Sequence, residues 1–217
     1  MNKYQLQQLV AQGEGLQLEF KRKANHPDKI VKEVVAFANT KGGKLLIGVD
    51  DDKSIVGLKY ANEDEFVLKQ AIDKHCKPAV QYTIERVLVA PNRIVLVFDI
   101  QAHTQKPVFV IYNFERQTGV AYIRVADQSL QASREMRQIL QGIAEERTIA
   151  FTYSAKEQVL LRYLAQHPQI DVQTYAQIAQ LSMKEAAMVL VDLTIAKVLT
   201  VQPEEMKDWF MMNKVNH

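Results

Sequence analysis

Residues 16–21, Leu16-Gln17-Leu18-Glu19-Phe20-Lys21, alternate strictly between apolar and polar. That is the period of a strand with one face on a core. The alternation points Leu16, Leu18 and Phe20 inward and puts Gln17, Glu19 and Lys21 on the opposite face. Upstream, Tyr4, Leu6, Leu9 and Val10 predict a short helix over residues 3–12, which Gly13-Glu14-Gly15 breaks. Downstream, Asn25-His26-Pro27-Asp28 reads as a turn with Asp28 as a helix cap. Ile30, Val31, Val34, Phe37 and Ala38 then recur at helical spacing to about residue 39. Gly42-Gly43 supplies the next turn, and the apolar run at 45–49 predicts a strand covered on both faces. Gly48 inside that run predicts close approach of another backbone or of a ligand. Asp50-Asp51-Asp52 gathers negative charge at the exit, and residues 54–57 are expected to pair back as a hairpin.

Further along, residues 62–75 read as a helix with Phe66, Leu68, Ala71 and Ile72 inward. Two strands, 80–89 and 93–100, flank Pro91-Asn92. Residues 108–112 and 120–125 are further strands, with Gly119 at a turn. Residues 129–147 carry Leu130, Met136, Ile139, Leu140, Ile143 and Ala144 on one stripe and predict a long amphipathic helix. Mixed strands and helices predict an α/β (α+β) mixed-sheet domain over residues 1–149. Beyond residue 150 the pattern turns helical, with helices at 156–166, 171–180 and 182–196. The last begins with Ser182 and Glu185 in capping-box spacing. Residues 198–201 and 209–212 flank a polar turn and read as a two-stranded wing. Three helices and a hairpin predict a small winged-helix domain over 150–217.

Composition narrows the classes. At 47% hydrophobic and 24% charged, the 217 residues have the balance of a soluble globular protein. Lys+Arg 27 against Asp+Glu 25 gives no strong global field, so attraction to a polyanion must be local. The single cysteine, Cys76, leaves no intrachain disulfide and no multi-cysteine zinc site. No segment has the length of a membrane span or the apolar core of a signal peptide, so a cytoplasmic location away from membranes is expected.

Three groups of residues can carry chemistry. Glu14, Glu19 and Asp50 bracket two strands; if these are neighbours, carboxylates converge beside Lys21. Such a set can hold Mg²⁺ or Mn²⁺ and serve a phosphodiesterase. The plain alternative is that Glu19 and Lys21 are solvated or paired and that Asp50 begins an acidic turn. Lys21-Arg22-Lys23, with Lys41 and Lys44, form a basic edge suited to phosphates, or a solvated edge that resists aggregation. Arg124, expected at a strand end before a helix, can join that helix's amides in binding an anion, or can pair with an acidic side chain. Lys41-Gly42-Gly43-Lys44 lacks P-loop spacing, and His26, His75, His103, His167 and His217 lack metal-ligand spacing. The predicted recognition helix offers Lys184 as its clear cation, with Met183 and Met188 expected in the core. It can bind DNA or mediate dimerisation.

The segments Gly13 to Lys21 (Gly-Glu-x-x-x-x-Glu-Phe-Lys), Ile30 to Asp51 (with Ala-Phe-Ala-Asn-Thr-Lys-Gly-Gly at its centre) and Ile55-Val56-Gly57 together resemble the Schlafen AlbA_2 family, also known as divergent AAA-4. Ala-Tyr-Ile-Arg-Val-Ala-Asp-Gln-Ser (Ala121 to Ser129) is similar to its Tyr-x-Arg-x-Gly-x-Ser segment, with Ala126 in place of the usual glycine. The resemblance implies an α/β nucleic-acid-binding domain, here before a winged helix, as in bacterial transcriptional regulators. On that reading Lys21, Arg22, Lys23, Lys41, Lys44 and Arg124 contact DNA or RNA phosphates, no cofactor is required, and a homodimer is the expected assembly. Animal Schlafens that cleave RNA imply a rival, a Mg²⁺- or Mn²⁺-dependent endoribonuclease acting on structured RNA. Its metal and catalytic carboxylates would be Glu14, Glu19 and Asp50 or Asp51. A third reading makes the winged helix a dimerisation element and the first domain a binder of protein.

Overall fold

The computed structural model describes residues 1–116, 118–149 and 153–213. The chain divides into two compact units, Met1–Gln131 and Ala132–His217. The boundary expected at 149/150 touches residues outside the described set; helix 134–144, grouped by its sequence with the first domain, falls in the second unit.

In the first unit, helix α1 (Lys3–Ala11), strand β1 (Leu18–Lys21), helix α2 (Pro27–Asn39) and strand β2 (Gly43–Ile47) come first. Helix α3 (Ala61–His75), the short β3 (Cys76–Lys77), β4 (Tyr82–Ala90) and β5 (Arg93–Ile100) follow. Strands β6 (Phe109–Asn113), β7 (Thr118–Val120), β8 (Tyr122–Val125) and β9 (Gln128–Gln131) complete it. The main sheet has the order β1-β2-β5-β4, with β1 parallel to β2 and the other pairs antiparallel. Its alternating side chains sort the core. Leu45, Ile47, Leu96 and Phe98 meet Val31, Val34 and Phe37 of α2 and Leu68 and Ile72 of α3. Leu18, Phe20, Leu46, Val95 and Val97 meet Leu6 and Val10 of α1 on the other face. Helices therefore cover both faces of β2, which is why its apolar run is unbroken. β6 pairs β3 and β7, and β8 pairs β9.

Asn39, last residue of α2, is buried and fixes this layout. Its side-chain amide donates to the Val108 and Tyr122 carbonyls at 2.9 Å each and accepts from the Val108 N–H at 2.7 Å. A buried amide so satisfied ties a helix end to two later strands. At Gly48, φ is +109°, and its carbonyl accepts from the N–H groups of Val56 and Gly57. The close approach predicted there is by backbone: a Cβ on Gly48 would stand 3.3 Å from the Gly57 Cα.

Several expectations give way. Leu16 is exposed, because the chain turns at Gly15, whose N–H bonds the Leu18 carbonyl, and β1 begins only at Leu18. α2 is entered through His26 in the left-handed region with no side-chain cap; Asp28 sits in its first turn. Phe66 of α3 points outward at 60% exposure. Gly119 lies within β7. Most consequentially, residues 129–147 are not one helix. Ala126, at φ +52°, lets β9 fold back on β8.

In the second unit, α4 (Arg134–Ala144) starts where the Ser133 hydroxyl accepts from the Met136 N–H. α5 (Ala155–Leu164), α6 (Val172–Ile178) and α7 (Met183–Ile195) follow, then the hairpin β10 (Leu199–Pro203) and β11 (Asp208–Met212). α5 and α7 open with capping boxes built on Ser154–Glu157 and Ser182–Glu185. Ile170, just before α6, exchanges both backbone bonds with Phe210 and adds a third short strand beside the hairpin. Met183 and Met188, expected in the core, are about half exposed. Among the described residues no helix is long and apolar enough to cross a membrane.

Candidate nucleic-acid interface

The residues singled out by sequence fall into a buried network and a surface groove. The network is centred on Arg124, whose side chain is 1% exposed. Its Nη1 donates to Glu19 at 2.9 Å, to Glu33 at 3.0 Å and to the Ser129 hydroxyl at 3.2 Å. Nη2 donates to the Gly15 carbonyl at 2.7 Å, and the guanidinium lies 5.0 Å from the Phe37 ring centroid. Ser129 donates to Glu33, and Lys21 to Glu19. The β8–β9 hairpin is thus locked to α2 and β1. The surface phosphate contact expected of Arg124 is corrected here: two carboxylates and a carbonyl already occupy its fork. The helix amides that were to assist it do not exist, since β9 follows. Burial holds the Glu19 carboxyl above its usual range, against the pull of Lys21 and Arg124. Burial lowers the Lys21 ammonium, but its partner Glu19 outweighs this and leaves it raised.

The carboxylates proposed for metal do not fit one. Glu14 accepts from the Phe20 N–H at 2.8 Å, closing the outer edge of β1. Glu19 belongs to Arg124 and Lys21. Asp50 lies beyond β2, in an ion pair with Arg22 at 3.1 Å, and also accepts from the Asp51 N–H. Among the described residues no three His, Cys, Asp or Glu side chains come together to hold a metal ion. Each carboxylate has a separate structural partner, so no catalytic step is derived from them.

Of the basic residues, Lys44 pairs with Asp99, and Lys41 is exposed at the α2–β2 turn. Arg22 and Lys23 are exposed in the β1–α2 loop and line a groove of about 580 Å³. Lys59, Tyr60 and Arg93 line it too; reading the sequence missed all three. Leu58 and Ile94 exchange backbone hydrogen bonds at 2.7 and 3.1 Å, which brings the Lys59-Tyr60 dipeptide beside Arg93. Arg93 Nη1 donates to the Gly57 carbonyl at 3.3 Å. The floor and walls are Leu58, Val56 and Val67. Glu63 and Asp64 also border it, with Asp64 accepting from the Ala24 N–H at 3.0 Å. Glu33 was missed as well. The available signal for it was its position on α2, three residues before the apolar Ala36-Phe37-Ala38, in a helix otherwise buried along that side.

A helix-covered mixed sheet with an arginine-locked hairpin and a cationic surface groove defines an α/β unit. The Schlafen, AlbA_2 family model matches residues 14–133, and the chain belongs to that family. No curated relative matches the chain. Among solved structures it is similar to the DIP2311 protein of Corynebacterium diphtheriae, with 20% identity, a TM-score of 0.46, and 75% of this chain matching 37% of that one. It is also similar to the N-terminal domain of a RecG-related protein of Nitrosomonas europaea, with 24% identity, a TM-score of 0.43, and 57% of this chain covering 88% of that domain. The chain thus spans little more than a third of the first of these.

Proposed function

We propose that this chain is a nucleic-acid-binding protein, with DNA as its target and transcriptional regulation as its role, working in the cytoplasm as a homodimer. The observation that carries this is the convergence of Arg22, Lys23, Lys59 and Arg93 on one groove of an AlbA_2 unit. Local cations of this kind neutralise phosphates even where net charge is only +2. We read the second unit as a winged helix, supported by α5 to α7, the hairpin and the Ile170 bridge to it. The outward face of α7 carries Met183, Lys184 and Met188, a single cation, which favours contact with a second chain over contact with DNA. The ribonuclease reading gains no support from Glu14, Glu19 and Asp50, each of which has another task.

The test is fluorescence anisotropy of the whole protein with labelled duplex DNA and transfer RNA across a salt series, with Mn²⁺ or chelator. Binding should weaken steeply with salt and survive Glu19→Gln. Lys23→Ala should lower the slope of log affinity against log salt by about one. Absence of binding at low salt sinks the proposal. Cleavage that needs Mn²⁺ and disappears in Glu19→Gln replaces it with the nuclease.

A further inference from the structure

We infer that the groove between the β1–α2 loop, the Lys59-Tyr60 dipeptide and Arg93 takes an unpaired nucleotide segment, with one base stacked on the Tyr60 ring. The inference rests on the nucleic-acid reading and specifies its ligand as single-stranded. Tyr60 is 58% exposed although it stands at the start of a long helix, and it lines the groove beside the apolar Val56 and Val67. Val56 and Val67 are themselves exposed, at 36% and 41%. Lys59 Nζ lies over the Tyr60 ring, 5.2 Å from its centroid, so a base stacks on the opposite face of the ring and a cation stands close to the nucleotide's backbone.

An aromatic face flanked by cations is the combination that holds single strands: the ring accepts any base, and the charges follow the backbone. A duplex offers phosphates but keeps its base faces shut within the stack, so Tyr60, Val56 and Val67 would gain nothing from it. The volume, about 580 Å³, is that of a small-ligand pocket and suits one or two nucleotides. Arg22 is partly committed to Asp50, and Arg93 uses one donor on Gly57, which leaves its other donors for a phosphate. Lys23 has no ion-pair partner among the described residues. Glu63 opposes this ligand. It stands in the first turn of α3, on the groove wall, and its charge weakens phosphate binding.

The experiment compares a labelled oligonucleotide of about twelve nucleotides with its own duplex, by anisotropy at low salt, on the full chain. The wild type should prefer the single strand. Tyr60→Ala should lose about tenfold on the single strand and keep its duplex affinity, while Tyr60→Phe behaves as wild type. Glu63→Gln should tighten binding. Tyr60 is exposed, so circular dichroism should show both Tyr60 variants folded. Equal affinity of wild type and Tyr60→Ala for the single strand overturns the inference while leaving nucleic-acid binding intact. So does displacement of the strand by polyglutamate as effective as by unlabelled oligonucleotide, which would make the groove a mere charge sink. Failure to bind either nucleic acid overturns the inference and the reading beneath it.

Discussion

Replacing Arg124 by methionine tests the buried network directly. The methionine fills much of the arginine stem's volume but leaves Glu19 and Glu33 facing each other without their shared cation. Both carboxylates are nearly buried, with side chains 7% and 6% exposed, and both lie about 3 Å from Nη1. Removing one partner of a buried ion pair costs about 3–5 kcal/mol, chiefly because the remaining charge stays desolvated. Here two charges remain, and Glu19 already has a raised pKa from burial. With a urea m-value of about 2 kcal/mol/M, a loss of 3–5 kcal/mol moves the midpoint down by about 2 M. Far-UV circular dichroism is the suitable probe, since Trp209, the sole tryptophan, lies in the second unit. The charge logic supplies a second readout. A carboxyl whose folded pKa is raised favours folding below its unfolded pKa and loses that contribution as pH rises through the folded one. Glu19 in Arg124→Met should be raised further, so acidification through its folded pKa should recover part of the lost stability. A midpoint shift under about 0.5 M, or a deficit that grows on acidification, would refute the view that Arg124 is a structural cation.

The second unit offers a pH test of its own. Burial raises the pKa of Asp208, which accepts from Ser133, whereas local hydrogen bonds hold Glu157, Asp171 and Glu185 below their usual values. Of these four, only Asp208 has a folded pKa above its unfolded one, so the stability that it contributes, followed by Trp209 fluorescence, should be lost as pH rises through the folded pKa, and that dependence should be absent in Asp208→Asn. Gly57→Ala tests the groove's frame. At φ +67° a Cβ would stand 2.8 Å from both the Arg93 Cβ and the Val89 Cγ2. The variant should lose more than about 1 kcal/mol in urea unfolding and bind oligonucleotides more weakly.

Where burial coincided with a local period, the fold was legible. α2 and β2 bury the residues that their spacing marks, and β4 and β5 form as the two expected strands. Residues 129–147 misled because Leu130 on β9 and Met136, Ile139 and Leu140 on α4 fall on one helical stripe while belonging to two elements. Ser133, the cap of α4, lies inside the span of that stripe. The site was harder for a different reason. Glu19 and Glu33 are 105 and 91 residues from Arg124 in sequence, and nothing in the spacing says that a lone arginine will be spent on them. Charge runs advertise themselves, and Arg22-Lys23 did so. The partners that make a groove of that run arrive from two other segments, through the Leu58–Ile94 bridge and the Gly48–Gly57 contact. These are backbone pairings just outside regular strands, where side-chain periodicity carries no information. The family motif marks residues that assemble the scaffold: Asn39 on two carbonyls, Glu14 on a strand edge, Arg124 under a hairpin. Such a scaffold permits a ligand face without dictating one. Binding specificity should therefore be sought in Lys59, Tyr60 and Arg93, which the scaffold presents to solvent, rather than in the motif itself.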